Sequence, residues 1–138
     1  MNARAYLPLL VLAVAASAAN AQLQRVRERL VGLSLTPSVM NVEAYYNGSS
    51  FSGGGIFQAI GRYEVRENGR RRFENRNISN LVTWTSSRED VFSIQPDWNL
   101  FADGLYVYSQ DTGIIGVTTI TVRYLGRSAS STLTVWAD

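Results

Sequence analysis

The feature that most constrains this chain is the alternation of apolar and polar side chains in short runs separated by turn residues. In Gly116–Tyr124, Ile120 and Val122 fall on one face while Thr119 and Thr121 fall on the other, because strand side chains point alternately to opposite faces. Such runs recur at intervals of about ten residues, and no useful helical period follows residue 21. The spacing predicts an all-β domain, an antiparallel β-sandwich of 7–8 strands.

The run Val82–Ser87 contains the residue around which we expect the core to form. Val82 and Trp84 share one face of this predicted strand, with threonines on the other face. A buried Trp removes roughly 150–250 Å² from water. Trp84 is therefore predicted to fill the space between two sheets, and Gly61 to leave room for its ring. The other predicted core residues lie on the inner faces of the last two strands: Ile120, Val122, Leu133 and Val135.

Composition narrows the chemistry that this protein can perform. The chain has no cysteine and no histidine, and all 13 of its basic residues are arginine. This excludes disulfides, Cys–His and Ser–His–Asp catalytic arrangements, the usual structural zinc sites and lysine Schiff bases. The net charge of +2 is too small to recruit nucleic acid or an anionic membrane. We expect a non-enzymatic protein with no catalytic residues, cofactor, metal or nucleic-acid partner.

Residues 1–21 have the pattern of a cleavable signal peptide. Arg4 supplies the positive start, Tyr6 to Ala16 form the apolar stretch, and Ala19-Asn20-Ala21 is a small-x-small cleavage site. The apolar stretch is about half the length needed to span a bilayer. We predict cleavage near Ala21 and no stable membrane anchor.

Cleavage there divides the chain into three parts. After the signal peptide, residues 22–30 form a polar, Arg-rich lead-in, either a short helix or an extended segment. Residues 31–138 form a single β-sandwich domain, which is long enough to bury a core without covalent cross-links. The mature protein is expected to be secreted, periplasmic or held at the cell surface.

Three local signals predict how the domain is connected. Pro37 interrupts the first predicted strand, Val31 to Val42, and proline cannot donate a ladder hydrogen bond. We therefore expect an edge strand or a crossover between sheets at that point. Asn68-Gly69 predicts a hairpin turn, since both residues tolerate positive φ. Val91 to Ile94 is predicted to be a short strand.

The segment Arg66–Asn80 is the most charged part of the chain. Within it, Arg70, Arg71 and Arg72 precede Phe73, a combination that favours binding of a polyanion with stacking on the ring. Interleaved glutamates reduce the net charge, so a solvated hairpin is the competing and stronger interpretation. These four residues are retained as candidate ligand contacts.

Aromatic residues exceed what one thin core needs. Some of them are predicted to lie on loops, where Trp and Tyr are effective anchors for protein or sugar partners. Trp98 and Phe101 are the candidates chosen as ligand contacts, and the alternative is that they pack over the ends of the sandwich. The surface aromatic residues considered are Tyr45, Tyr46, Phe51, Trp98, Phe101, Tyr106 and Tyr108.

Acidic residues offer two weaker interpretations. The segment Asp97–Gly104 suggests a calcium loop, but the EF-hand spacing is not met because Phe101 occupies a ligand position. Turn chemistry is the better explanation. Glu89-Asp90, or Asp97 with Asp103, would have to serve as the acid/base pair of a small carbohydrate-active enzyme. Carboxylates at turns are usually solvated, so this stays a weak alternative.

The order of the predicted segments resembles that of a known family. The segments are Leu33–Pro37, Phe57–Tyr63, Asn77–Ser79, Val82–Ser87, Val91–Ile94, Gly104–Val107, Gly116–Val122 and Ser131–Val135. Together, over roughly residues 30–136, they resemble the bacterial Ig-like domain, group 2, of cell-surface proteins such as intimin and invasin relatives. The resemblance implies an Ig-like β-sandwich in which the Trp and Gly positions are structural, with no common catalytic site.

That resemblance also sets the functional expectation. It implies an extracellular setting. With the surface aromatics and the Arg-rich hairpin as contacts, we expect a secreted module for binding, adhesion or structural support at the cell envelope, with an unidentified protein or glycan as partner and oligomerisation possible. The main alternative is an assembly subunit that joins its neighbours by β-strand addition, because sandwich edges offer unpaired backbone groups.

Overall fold

The computed structural model describes residues 26–44 and 54–137. The predictions for the signal peptide, the start of the lead-in and the aromatic residues at 45, 46 and 51 lie outside the described residues. In the described part, the chain forms nine strands and one turn of 3-10 helix, Ser109–Asp111. The strands are β1 (Val26–Thr36), β2 (Val39–Glu43), β3 (Gly54–Glu67), β4 (Arg70–Asn77), β5 (Thr83–Ser86), β6 (Leu100–Phe101), β7 (Gly104–Tyr108), β8 (Gly116–Tyr124) and β9 (Arg127–Trp136).

The strands form two sheets. One has the order β1-β3-β7-β6, with β4 also paired to β3, and the other has the order β2-β9-β8-β5. The prediction of an all-β, sandwich-like chain is confirmed at this level. One strand pair departs from the predicted antiparallel arrangement, since β2 and β9 are parallel. The reason lies at Pro37 and Ser38, which carry the chain across to the second sheet instead of folding it back on β1.

Contacts divide the described chain into two compact units. The first, which we call the ribbon unit, contains the described residues of Met1–Arg29 together with Tyr63–Glu74. The second, the main unit, contains Leu30–Arg62 and Asn75–Asp138.

The core of the main unit combines inward-facing side chains from both sheets. Trp84 is 9% exposed, and its indole Nε1 donates a hydrogen bond to the Ser79 carbonyl at 3.0 Å, which satisfies its polar end. Val82 is only half-buried and precedes β5, while Gly61 is buried. The predicted core residues Ile120, Val122, Leu133 and Val135 are fully buried, as are Phe57, Phe92, Val42, Leu105 and Val107. Trp84 is therefore one of several large core residues.

The segment after β5 differs from its prediction. Val91 and Phe92 do not form a strand: both of their backbone N–H groups donate to the Arg88 carbonyl in a turn, and Phe92 makes a single bridge with Thr112. Both side chains are fully buried. Their apolar character therefore reflects burial by a turn, which a short run cannot distinguish from a strand.

Two turns between adjacent strands contain residues with positive φ. Asn68 and Gly69 have φ values of 52° and 78°, which confirms the predicted β3–β4 turn. The β8–β9 turn lies at Leu125 and Gly126, with φ values of 48° and 77°. β1 begins at Val26, so the second half of the predicted lead-in is strand.

Candidate functional site

Strands β6 and β7 place three aromatic side chains on the outer surface of the first sheet. Leu105 and Val107 in β7 are fully buried, so Tyr106 and Tyr108 point away from the core by strand alternation. Phe101 in β6 reaches the same surface across the β6–β7 turn. We call Phe101, Tyr106 and Tyr108 the aromatic face.

The three rings of the aromatic face contact one another. The centroids of Phe101 and Tyr106 are 5.0 Å apart with an 80° angle between the ring planes. Those of Tyr106 and Tyr108 are 5.9 Å apart at 28°. Aromatic pairs with these geometries contribute about 0.5–1.5 kcal/mol beyond area burial. The rings therefore fix one another, yet Phe101 stays 49% exposed and Tyr108 39% exposed.

Asp103, in the β6–β7 turn, anchors the middle ring. Its carboxylate Oδ2 accepts a hydrogen bond from the Tyr106 hydroxyl at 2.7 Å. Its backbone carbonyl accepts from Gln58 Nε2 at 3.3 Å and from Asn77 Nδ2 at 2.8 Å. The hydrogen bond to Asp103, followed by burial, raises the pKa of the Tyr106 phenol. The phenol therefore remains a protonated donor and the turn is held from two sides.

Gly104 is required where β7 approaches β3. A Cβ at this position would lie 2.8 Å from Ile56 Cγ1 and would also meet the Phe57 carbonyl oxygen. Ile56 is the register partner of Tyr106. The close approach of the two strands therefore determines where the middle ring stands.

The two predicted ligand contacts of the main unit, Trp98 and Phe101, have different neighbours. Trp98 is 61% exposed, and its Nε1 donates to Asp111 Oδ1 at 2.9 Å. Among the described residues, the Phe101 ring contacts Tyr106, which in turn contacts Tyr108. Tyr106 and Tyr108 were considered as surface aromatics but not chosen as ligand contacts. Their two-residue spacing in Gly104–Tyr108 places both on one face of a strand, and it is the signal in the sequence that groups them.

The ribbon unit contains the four predicted Arg-rich contacts. Arg72 donates to Glu67 Oε2 at 3.1 Å and to Glu74 Oε1 at 3.0 Å, and these hydrogen bonds raise its pKa. The Arg71 guanidinium lies 5.5 Å from the centre of the Phe73 ring, in cation–π distance. Much of the basic and aromatic character of this hairpin is therefore used within the hairpin.

A second ion-pair group in the ribbon unit surrounds Glu64. Its side chain is only 7% exposed and accepts from Arg66 Nε at 2.6 Å and from Arg29 Nη2 at 2.8 Å. The hydrogen bond from Arg66, then that from Arg29, lowers the pKa of the Glu64 carboxyl. A carboxylate shielded from water is kept ionised by two cations, which is a structural arrangement.

Two residues of the calcium and enzyme alternatives, Asn99 and Asp90, have other partners. Asn99 is 1% exposed, and its side chain accepts from the Gln95 backbone N–H at 2.8 Å and donates to the Ser93 carbonyl at 3.0 Å. It closes a turn. Asp90 accepts from Arg88 at 2.8 Å, which lowers its pKa. Within residues 26–44 and 54–137, no group of three or more His, Cys, Asp or Glu side chains is placed to hold a metal ion.

No protein-family model matches this sequence, and no curated protein matches it. In the part of the chain that the structure describes, no helix has the length and apolar character needed to cross a membrane. The geometry described above makes the aromatic face the candidate functional site.

Proposed function

We propose that this chain is a secreted, non-enzymatic Ig-like module that binds a protein or glycan of the cell envelope through the aromatic face. The observation that carries the proposal is the exposure of two rings, Phe101 and Tyr108, on either side of a third ring that is fixed in place. Exposed aromatics that are already ordered lose little conformational entropy on binding. They are also enriched among the residues that dominate interface energies.

The anchoring of Tyr106 supports a binding role over a purely structural one. Its hydroxyl is held by Asp103, and Asp103 is in turn held by Gln58 and Asn77. This supporting set positions the exposed rings on a strand rather than on a loose loop, which gives a binding surface precision.

The Ig-like class and the extracellular setting have separate support. The class is supported by the order of eight short segments in the sequence and by the two-sheet fold around Trp84. The setting is supported by the signal-peptide pattern of residues 1–21. Binding itself is argued from the site, since one fold hosts many functions.

The Arg-rich hairpin is the second predicted contact surface, and it is weaker. Arg72 is paired with two glutamates, and Arg71 covers one side of Phe73. A ligand that bound there would have to replace these internal contacts. Arg70 and Arg71 nevertheless provide the matched control for the aromatic face, because both pairs of side chains are exposed.

The experiment measures binding of the mature protein to two immobilised probes, a deproteinised envelope glycan fraction and an envelope protein fraction from the source cells. Replacing both exposed rings, Phe101→Ala with Tyr108→Ala, should weaken binding to one probe by at least about tenfold. The double variant Arg70→Ala with Arg71→Ala should bind within about threefold of the unmodified protein. Loss of affinity in the arginine variant alone would contradict the proposal, as would no binding to either probe.

A further inference from the structure

Strand β5 forms an open edge of the second sheet. It has only four residues, Thr83–Ser86, and it stands last in the order β2-β9-β8-β5. Among the described residues it pairs with β8 alone. Within residues 26–44 and 54–137, one side of its backbone therefore has no strand beside it.

The hydrogen bonds to β8 identify which backbone groups face outward. The Ser87 N–H donates to the Thr119 carbonyl at 3.0 Å, one step beyond the Ser86–Ile120 register pair. In an antiparallel pair, residues alternate between those bonded to the partner and those whose N–H and C=O point away. Counting back from Ser87, the N–H and C=O groups of Trp84 and Ser86 point away from β8.

A groove of about 500 Å³ lies along this strand. Its lining includes β5 together with the apolar side chains of Ile94, Pro96 and Leu100. Glu89 is the single charged residue of the lining. A groove of this size is typical of sites for small ligands and short segments, and is too small for the body of a second folded domain.

Apart from its shortness, the strand carries none of the usual protection against pairing. Natural sheet edges are blunted by lysine, proline, bulges or inward-pointing charges. In β5 the side chains of Thr83 and Thr85 are exposed and uncharged, and Ser86 is half-buried. An unpaired and uncharged edge next to an apolar wall is suited to an added strand.

We propose that the β5 groove receives an extended polypeptide segment of a partner protein, which adds to the second sheet beside β5. The segment would bond the outward backbone groups of Trp84 and Ser86, and would place apolar side chains against Ile94, Pro96 and Leu100. The negative charge of Glu89 favours a basic residue at one end. Backbone hydrogen bonds supply the affinity in this mode of recognition, and alternate side chains supply the specificity. The site uses different residues from the aromatic face and does not depend on it.

The test uses a labelled peptide, acetyl-Arg-Thr-Ile-Thr-Val-Thr-amide, in which the sequence of residues 119–122 of the neighbouring β8 is preceded by an arginine and followed by a threonine. Fluorescence anisotropy should show saturable binding to the mature protein. The same peptide N-methylated at every residue cannot donate backbone hydrogen bonds and should bind at least about tenfold more weakly. Equal binding of both peptides, or none up to about 1 mM, would overturn the proposal.

A matched pair of variants at Ser86 separates backbone from side chain. Ser86→Pro removes the outward N–H and should weaken peptide binding at least about tenfold. Both variants lose the 2.8 Å side-chain contact between Ser86 and Thr118, but only Ser86→Ala keeps the backbone N–H. Ser86→Ala should therefore bind the peptide as the unmodified protein does. If both variants lose binding equally, the proposal is wrong.

Hydrogen exchange provides a readout that needs no variant. The peptide should slow exchange of the Trp84 and Ser86 amides, and leave the exposed aromatic face unaffected. Unchanged exchange at those two amides under saturating peptide would overturn the proposal. Concentration-dependent dimers that disappear in Ser86→Pro would assign the edge to a second copy of the chain, and would also overturn it.

Discussion

The aromatic face and the ribbon unit both present exposed side chains, yet their exposed groups differ in what remains available. In the ribbon unit, Arg72 is paired with Glu67 and Glu74, and Glu64 holds two arginines. In the aromatic face, the fixed contacts involve the phenol end of Tyr106 and the ring edges, so much of the apolar surface of Phe101 and Tyr108 stays in water.

The difference shows that a run of charged residues in the sequence is a poor guide to a binding surface. Of the three consecutive arginines, Arg72 is paired with two glutamates and Arg71 lies over the Phe73 ring. Exposed ion pairs themselves contribute only about 0–1 kcal/mol each. The rings of Phe101 and Tyr108 are ordered by contact with Tyr106, and they are still 49% and 39% exposed. Burial of their surface is therefore left for a ligand.

The largest effect on stability is expected from replacing the buried indole of Trp84. Trp84→Ala should cost about 3–5 kcal/mol in the free energy of unfolding, because it leaves a cavity between the sheets. Trp98→Ala, at a 61% exposed position, is the matched control. Urea denaturation measures both. A loss below about 1 kcal/mol for Trp84→Ala, the size of an ordinary surface change, would remove Trp84 from the core.

The next largest effect compares two glycines, one from each region. Gly104→Ala should destabilise the protein by about 1–3 kcal/mol, because the new Cβ would press on Ile56 and on the β3 backbone. Gly69→Asn should change stability by less than about 0.5 kcal/mol, because nothing lies within 4 Å and asparagine tolerates its positive φ. Thermal denaturation with equal losses in both variants would show that packing is not what requires Gly104.

A smaller and pH-dependent effect is expected from Glu64. Its folded-state pKa is lowered, so its stabilising contribution is present above its unfolded pKa and is lost as the pH falls through the folded value. Glu64→Gln should lower Tm at pH 7. The difference in Tm between this variant and the unmodified protein should become smaller in strong acid. Glu67→Gln, at a 47% exposed side chain, is the control. A Tm difference that stays constant from pH 7 into strong acid would contradict the ion-pair account.

The smallest effect concerns the phenol of the aromatic face. The folded-state pKa of Tyr106 is raised, so its stabilising contribution is present below its unfolded pKa and is lost as the pH rises through the folded value. Asp103→Asn should lower the pH at which the Tyr106 phenol ionises, measured by phenolate absorbance. Asp97→Asn serves as the control. An unchanged titration in Asp103→Asn would mean that the 2.7 Å hydrogen bond does not hold the ring.

Much of the fold could be predicted from the sequence because strand alternation is local. Ile120 and Val122 were placed inward by their spacing alone, and the turn at Asn68 and Gly69 by its chemistry. The parallel pairing of β2 with β9 could not be predicted, because residues about ninety positions apart meet there. No local pattern reports such a contact.

The candidate site was less predictable for a similar reason. Phe101 was identified as an exposed aromatic, but its neighbours Tyr106 and Tyr108 follow from the β6–β7 hairpin, whose first strand has only two residues. The Arg-rich run was visible in the sequence, while its pairing with Glu67 and Glu74 depends on the geometry of the hairpin.

The claim that exposed rings rather than exposed arginines bind the ligand is tested most directly by the salt dependence of affinity. The dissociation constant for the envelope fraction that binds should be measured from low salt to about 1 M NaCl, where the screening length falls to about 3 Å. Binding through the aromatic face should weaken by less than about threefold over that range. A steep, continuous loss of affinity with added salt would mean that the arginines of the ribbon unit carry the binding.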